Sequence, residues 1–211
     1  MMFGIDNYIG FLLAAILLNL TPGADTMYIV TRSVAQGTKA GVVSVLGIST
    51  GLVFHTLLAA LGLSIILMTS PSIFMAVKYL GAGYLVYIGI KMMIDKASVF
   101  ENQHTEFARA DLLKIYRQGV LTNVLNPKVA LFFISFLPQF ILPEYAAGPL
   151  PFLLLGGTFL TTGTIWCMFL AYSSSFMTKA LRENDTIGRL MQKVSGTIFI
   201  AVGLQLAFKR G

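Results

Sequence analysis

The sequence predicts an all-α integral membrane protein with six transmembrane helices, arranged as two inverted three-helix repeats whose helices 1 and 4 are broken at Pro22 and Pro127. Three observations carry that prediction. The 211 residues are 56% hydrophobic and only 11% charged, with a mean hydropathy of +0.78, whereas a soluble domain is usually about a quarter charged. Six apolar stretches approach the roughly 20 residues a helix needs to cross a hydrocarbon core. In each half one of these stretches is interrupted by proline at a matching place, in Asn19-Leu20-Thr21-Pro22-Gly23-Ala24-Asp25 and in Asn123-Val124-Leu125-Asn126-Pro127-Lys128.

The first span is expected from Tyr8 to Val30. It opens near Asp6 without a basic leader and shows no small-residue cleavage pattern, so it reads as a retained span rather than a secretory signal. Val42 to Met68 and Ile73 to Met93 give the second and third spans. Gly119 to Leu142, Leu150 to Tyr172 and Ile187 to Phe208 give the remaining three. The only long polar segment, Asp95 to Lys114, divides them, so the chain is expected to comprise a first repeat (1–94), a cytoplasmic linker (95–114) and a second repeat (115–211). Glu101, His104, Glu106 and Asp111 lie among the bases of that linker, where His104 is expected to be solvated.

The net charge of +6 would suit a nucleic-acid partner, but the basic residues sit in short segments between apolar runs and act better as topology signals. Arg32, Lys39, Lys91, Lys96, Arg109, Lys114, Arg117, Lys179, Arg182, Arg189 and Lys193 all fall on or beside odd-numbered loops. Those loops should face the cytoplasm, leaving both termini outside a plasma-membrane, multi-pass protein whose surroundings are the lipid bilayer. The single cysteine, Cys167, excludes an internal disulfide and reads as a packing residue beside Trp166.

Aligning Pro22 with Pro127 brings Gly51 onto Gly156 at the same separation, and Lys78-Tyr79-Leu80-Gly81 then resembles Lys193-Val194-Ser195-Gly196. A unit of three crossings must re-enter from the opposite face, so any such repeat is inverted. Glycines also recur in membrane helices simply to allow close packing, within one chain or between two copies, which leaves a homodimer open.

Proline removes a backbone donor and disfavours helix in the residue before it, freeing carbonyl and amide groups that hydrocarbon cannot satisfy. Paired interruptions at corresponding places are the sequence-level pointer to a carrier's substrate site. Asn19, Thr21, Pro22, Gly23, Asp25, Asn123, Asn126, Pro127 and Lys128 are therefore the candidate substrate-binding or coupling residues. Asp25 is the only acid well inside an apolar stretch, where a carboxylate costs about 2.5 to 3.5 kcal/mol on insertion scales unless paired or hydrated. It either meets a substrate amino group or a coupling proton, or forms a packing salt bridge to Lys128 or Arg32. Lys128 either meets a carboxylate or snorkels to an interface. The asparagines and Thr21 suit both repair of freed backbone and binding of a zwitterion. Amides after each proline offer positive dipole ends to a carboxylate, and carbonyls before it face an ammonium. His55, in the second span, reads as a hydrogen-bonded packing histidine, with a proton relay or metal pathway through Asp25 as the alternative.

The motif from Asn19 to Thr26, with Thr31-Arg32-Ser33 and Gln36-Gly37 to Gly47-Ile48-Ser49-Thr50-Gly51, resembles the first half of the LysE/RhtB amino-acid exporters. Asn123 to Lys128, with Phe136-Leu137-Pro138-Gln139-Phe140, resembles their second half. The resemblance implies a secondary transporter that exports amino acids or close derivatives, such as homoserine, threonine, leucine, basic amino acids or homoserine lactones, by alternating access and coupled to the proton gradient. The family often has proline at the place of Ala24 and asparagine at that of Asp25, so a charged residue there departs from the pattern.

Two other classes compete. A membrane-integral enzyme would need a second facing carboxylate or an ordered nucleophile and base, and Asp25 and His55 have neither in the sequence. A divalent-metal exporter would want several His, Asp or Glu ligands, and the chain has two histidines, one of them in the linker. No cofactor, no metal site and no nucleic-acid partner are expected, and the small-molecule substrate is expected to be an amino acid or derivative.

Overall fold

The computed structural model describes residues 3–63, 71–94, 111–146 and 148–183, with isolated positions between 193 and 208. Among these residues the regular structure is helical. Helix α1 (Tyr8–Leu20) begins at Asn7, whose left-handed backbone (φ 48°) lets its side chain accept from the Gly10 amide at 3.2 Å. It ends at Pro22, and α2 (Ala24–Gln36) resumes after a bend of 47°. Gly37 turns the chain at φ 84°, a left-handed conformation that favours glycine, and α3 (Thr38–Leu58) follows, closing in a π turn over Ala59–Leu63. Helix α4 spans Pro71–Ile94.

Helix α5 (Leu112–Val124) is capped by the Asp111 carboxylate, which accepts from the Lys114 amide at 2.7 Å. Leu112 to Lys114, the last residues of the expected linker, are therefore helical. The chain bends by 44° at Asn126 and resumes as α6 (Pro127–Leu131). It then loosens into a π turn (Phe132–Phe136) and a 3-10 turn (Leu137–Phe140) rather than continuing as the plain helix expected to Leu142. Pro138, in the 3-10 turn, cannot donate to the α-helical ladder, so the plain helix cannot run on through it. Helix α7 runs Leu150–Glu183.

Among the described residues Thr38–Gly62 and Leu150–Ser173 are each long and apolar enough to cross a membrane, and there are up to four such spans if each bent pair counts as one. This is a multi-pass membrane protein. The expected linker residues 95–110 and most of the sixth span lie outside the described residues, although the described positions from Lys193 to Phe208 are helical.

Two features position the centre of the molecule. The crossing of α3 with α5 is made by glycine: a side chain on Gly119 would stand 3.0 Å from the Ser44 carbonyl and 3.3 Å from the Gly47 backbone. Hydrogen bonds tie the same region, from the Tyr28 hydroxyl to the Ile115 carbonyl at 2.7 Å and between Thr50 and Tyr116 at 2.9 Å. At the N-terminal end an aromatic cluster of Phe11, Phe132, Phe133, Phe136, Phe140 and Phe159 fills the space between α1, α7 and the distorted turns. An isolated bridge between Ile5 and Ile141 closes that end. Close glycines recur between α4 and the last described residues, where Gly89 faces the Gly196 carbonyl and Gly203 faces that of Ala82.

Candidate functional site

The two broken helices lie side by side, and each break leaves one specific carbonyl short of its donor. In an α-helix the amide of residue i bonds the carbonyl of residue i−4. Pro22 therefore deprives Leu18, and Pro127 deprives Asn123. Each deprived carbonyl is met by a basic side chain from the other half of the sequence. The Lys128 ammonium donates to the Thr21 carbonyl at 3.0 Å and approaches that of Leu18 at 3.4 Å. His55 Nε2 lies 3.1 Å from the Asn123 carbonyl.

The local chemistry of the breaks differs. At the second, the Asn126 side chain accepts from the Lys128 amide at 3.1 Å and proline takes the first helical position, so α6 starts with an ordinary cap. At the first, Gly23 caps α2 with no side-chain bond, and the first-turn amides there have no side-chain acceptor from the cap. Gly23 also lets Lys128 pass: a side chain there would stand 3.2 Å from Nζ.

Asp25, in the first turn of α2, receives the Asn123 amide on Oδ2 at 2.8 Å. A carboxylate only accepts, so the NH2 face of Asn123 must point at it. Asp25 Oδ1, Asn123 Oδ1 and Asn126 Nδ2 are all buried with no hydrogen-bond partner, and Asn123 and Asn126 are 0% and 4% exposed. Buried polar groups are otherwise almost always paired. Two acceptors, on Asp25 and Asn123, and one donor group, on Asn126, are thus left open at the two breaks.

The salt bridge considered between Asp25 and Lys128 is not made as a hydrogen bond, since Asp25 Oδ1 is unpartnered and Lys128 donates to two carbonyls instead. The two stand close without pairing, since Lys128 Nζ passes Gly23, two residues before Asp25. Arg32 lies elsewhere, donating to Gln36 at 2.9 Å and Gln118 at 2.8 Å over the Tyr28 ring. Tyr28, Arg32, Gln118 and Thr122 line an open groove of about 350 Å³ along the α2–α5 seam.

Of the residues singled out in the sequence, Pro22, Gly23, Asp25, Asn123, Asn126, Pro127 and Lys128 converge here. Thr21 contributes its carbonyl, while its hydroxyl bonds back to Leu17 at 2.8 Å. Asn19 turns away and donates to Thr162 of α7 at 3.1 Å. The sequence reading missed Leu18, which counting four residues back from Pro22 would have found. Cys167, read from the sequence as a packing residue, packs against the cluster of Ile29, Val45, Ile48, Leu170 and Ala171. His55 has no direct bond to Asp25, so the relay weighed for it is not formed; it reaches Asp25 only through Asn123. Among the described residues no three His, Cys, Asp or Glu side chains are grouped as metal ligands.

The sequence model for LysE type translocators matches residues 16–210. An uncharacterized membrane protein of Bacillus subtilis is 33% identical over 90% of this chain and 93% of its own length. An uncharacterized membrane protein of Pseudomonas aeruginosa is 29% identical over 97% and 96%. A leucine efflux protein of Klebsiella pneumoniae is 28% identical over 97% and 96%. No solved structure matches the chain.

Proposed function

The chain belongs to the LysE type translocator family, and from that premise we propose that it exports a neutral amino acid held as a zwitterion between the two broken helices. It is a transporter and not an enzyme. The observation that carries the substrate reading is the set of unpartnered buried atoms at the breaks: Oδ1 of Asp25, Oδ1 of Asn123, which bonds Asp25, and Nδ2 of Asn126, which caps α6.

An α-ammonium has three donors and matches the two acceptors on Asp25 and Asn123. A carboxylate matches the Asn126 amide, the remaining Lys128 donor and the amides at the start of α2, whose dipole adds to the attraction. Asp25 is the only acid described within the spans, so it neutralises one cation. A dibasic substrate would bring a second charge at a cost of several kcal/mol in a low-dielectric site. The leucine efflux relatives agree with a neutral substrate. Sole possession of an intramembrane carboxylate also makes Asp25 the natural carrier of a coupling proton.

Movement follows from the architecture. The breaks have no continuous helical ladder across them, so rocking one half on the other needs few backbone bonds to be exchanged. On this reading the substrate approaches from the basic end, taken as cytoplasmic, where Arg32 lines a groove along the α2–α5 seam. Six spans in two inverted repeats and a plasma-membrane location with both termini outside complete the reading.

The test is efflux of a panel of labelled neutral, acidic and basic amino acids, homoserine and a homoserine lactone from cells with and without the protein. Export of a neutral amino acid that stops when the proton gradient is collapsed is the expected result. Export of a dibasic amino acid in preference would refute the single-carboxylate argument.

A further inference from the structure

Pro127 removes the one amide that would have bonded the Asn123 carbonyl within the helix. Asn123 is wholly buried, and its main chain carries the side chain that bonds Asp25. Two donors serve the deprived carbonyl: the Asn126 amide at 2.9 Å, which tightens the last turn, and His55 Nε2 at 3.1 Å, which comes from α3. A carbonyl has two acceptor sites, so both bonds are accommodated. The imidazole is itself fixed, 6% exposed, stacked on Phe133 at 5.7 Å between ring centres and edge-on to Phe54 at 6.3 Å. Gly51, one turn earlier on α3, leaves room for the Asn123 side chain, because a side chain at Gly51 would stand 2.6 Å from Asn123 Oδ1.

We infer that His55 is a positioning residue of the transport site: it supplies in trans the hydrogen bond that Pro127 removes, and so fixes the turn that aims Asn123 at Asp25. The inference rests on the substrate reading above for its effect on transport, but not for the bond itself. At each break a side chain from the opposite half donates to carbonyls: Lys128 to that of Thr21 and, at 3.4 Å, to that of Leu18 at the first, and His55 to that of Asn123 at the second. A histidine that merely filled space would be replaced well by a residue of similar volume. A positioning histidine is replaced only by one that can donate.

Two measurements test this. In proteoliposomes, His55→Gln, whose amide can reach the same carbonyl, should keep KM near wild type. His55→Leu should raise KM about tenfold, the worth of one positioned hydrogen bond, with maximal rate much less affected. Leu and Gln transporting alike would overturn the inference. Wild-type protein that transports no amino acid would instead overturn the substrate reading. The second measurement needs no substrate. Pro127→Ala returns an amide to the Asn123 carbonyl, so thermal midpoints in detergent should be non-additive: His55→Leu should lower the midpoint clearly in the otherwise wild-type protein and much less when combined with Pro127→Ala. Equal losses in both backgrounds would show that His55 does not stand in for the missing amide, and would overturn the inference whatever the transport result.

Discussion

Lys128→Met retains the length of the side chain and removes its donors, so it isolates what the ammonium does at the first break. The Thr21 carbonyl loses a charge-assisted bond of 3.0 Å, and Thr21 is 2% exposed, so water does not replace it freely. Hydrogen bonds to charged groups contribute about 1.5 to 3 kcal/mol. The contact to Leu18 at 3.4 Å adds little, because that carbonyl also accepts the Thr21 amide at 3.2 Å and the longer bond is weak. Removing the cation also leaves Asp25 without its nearby positive charge, a further loss of the same sign. Against these stands relief from holding an ammonium away from water. The balance is a destabilisation of about 2 kcal/mol. Equilibrium unfolding in mixed micelles measures it, with a lower midpoint at unchanged steepness as the expected outcome. A variant as stable as wild type, or more so, would refute the claim that Lys128 caps the first break.

Three further outcomes are expected. Gly51→Ala should abolish or strongly reduce transport, because the new methyl would press on Asn123 and move it off Asp25; wild-type efflux at matched membrane levels would contradict this. Gly23→Ala should raise KM by about tenfold, since its methyl crowds Lys128 Nζ at 3.2 Å and costs the substrate carboxylate roughly one hydrogen bond. Cys167, the only cysteine, packs against Ile29, Val45 and Ile48, so Cys167→Ala should leave efflux near wild type; loss of efflux at matched membrane levels would contradict its reading as a packing residue.

The breaks were legible in the sequence because proline acts locally. Its missing amide and the restriction on the preceding residue set both bends without help from tertiary structure. The clustering of Asp25, Asn123 and Lys128 was legible only as an expectation that matched interruptions meet. What the sequence did not disclose depends on contacts between distant segments. Whether Asn19 faces the site or α7 is decided by Gly163, which leaves room for its amide. The partner of His55 is decided by the glycine crossing of α3 and α5, which sets their depth and rotation. The loosening of the chain after Leu131 follows from Pro138 together with packing of four phenylalanines, a tertiary effect that hydrophobic periodicity cannot register.

The central claim is that the open acceptors on Asp25 and Asn123 bind the substrate's ammonium. Binding of a neutral amino acid and of its N-acetyl derivative to purified wild-type and Asp25→Asn protein, by calorimetry in detergent, tests it most directly. The account predicts that wild type binds the free amino acid, that acetylation of its nitrogen abolishes binding, and that Asp25→Asn weakens binding of the free amino acid by tenfold or more, on the order of one charge-assisted bond. Equal affinity of wild type and Asp25→Asn for the free amino acid would contradict it.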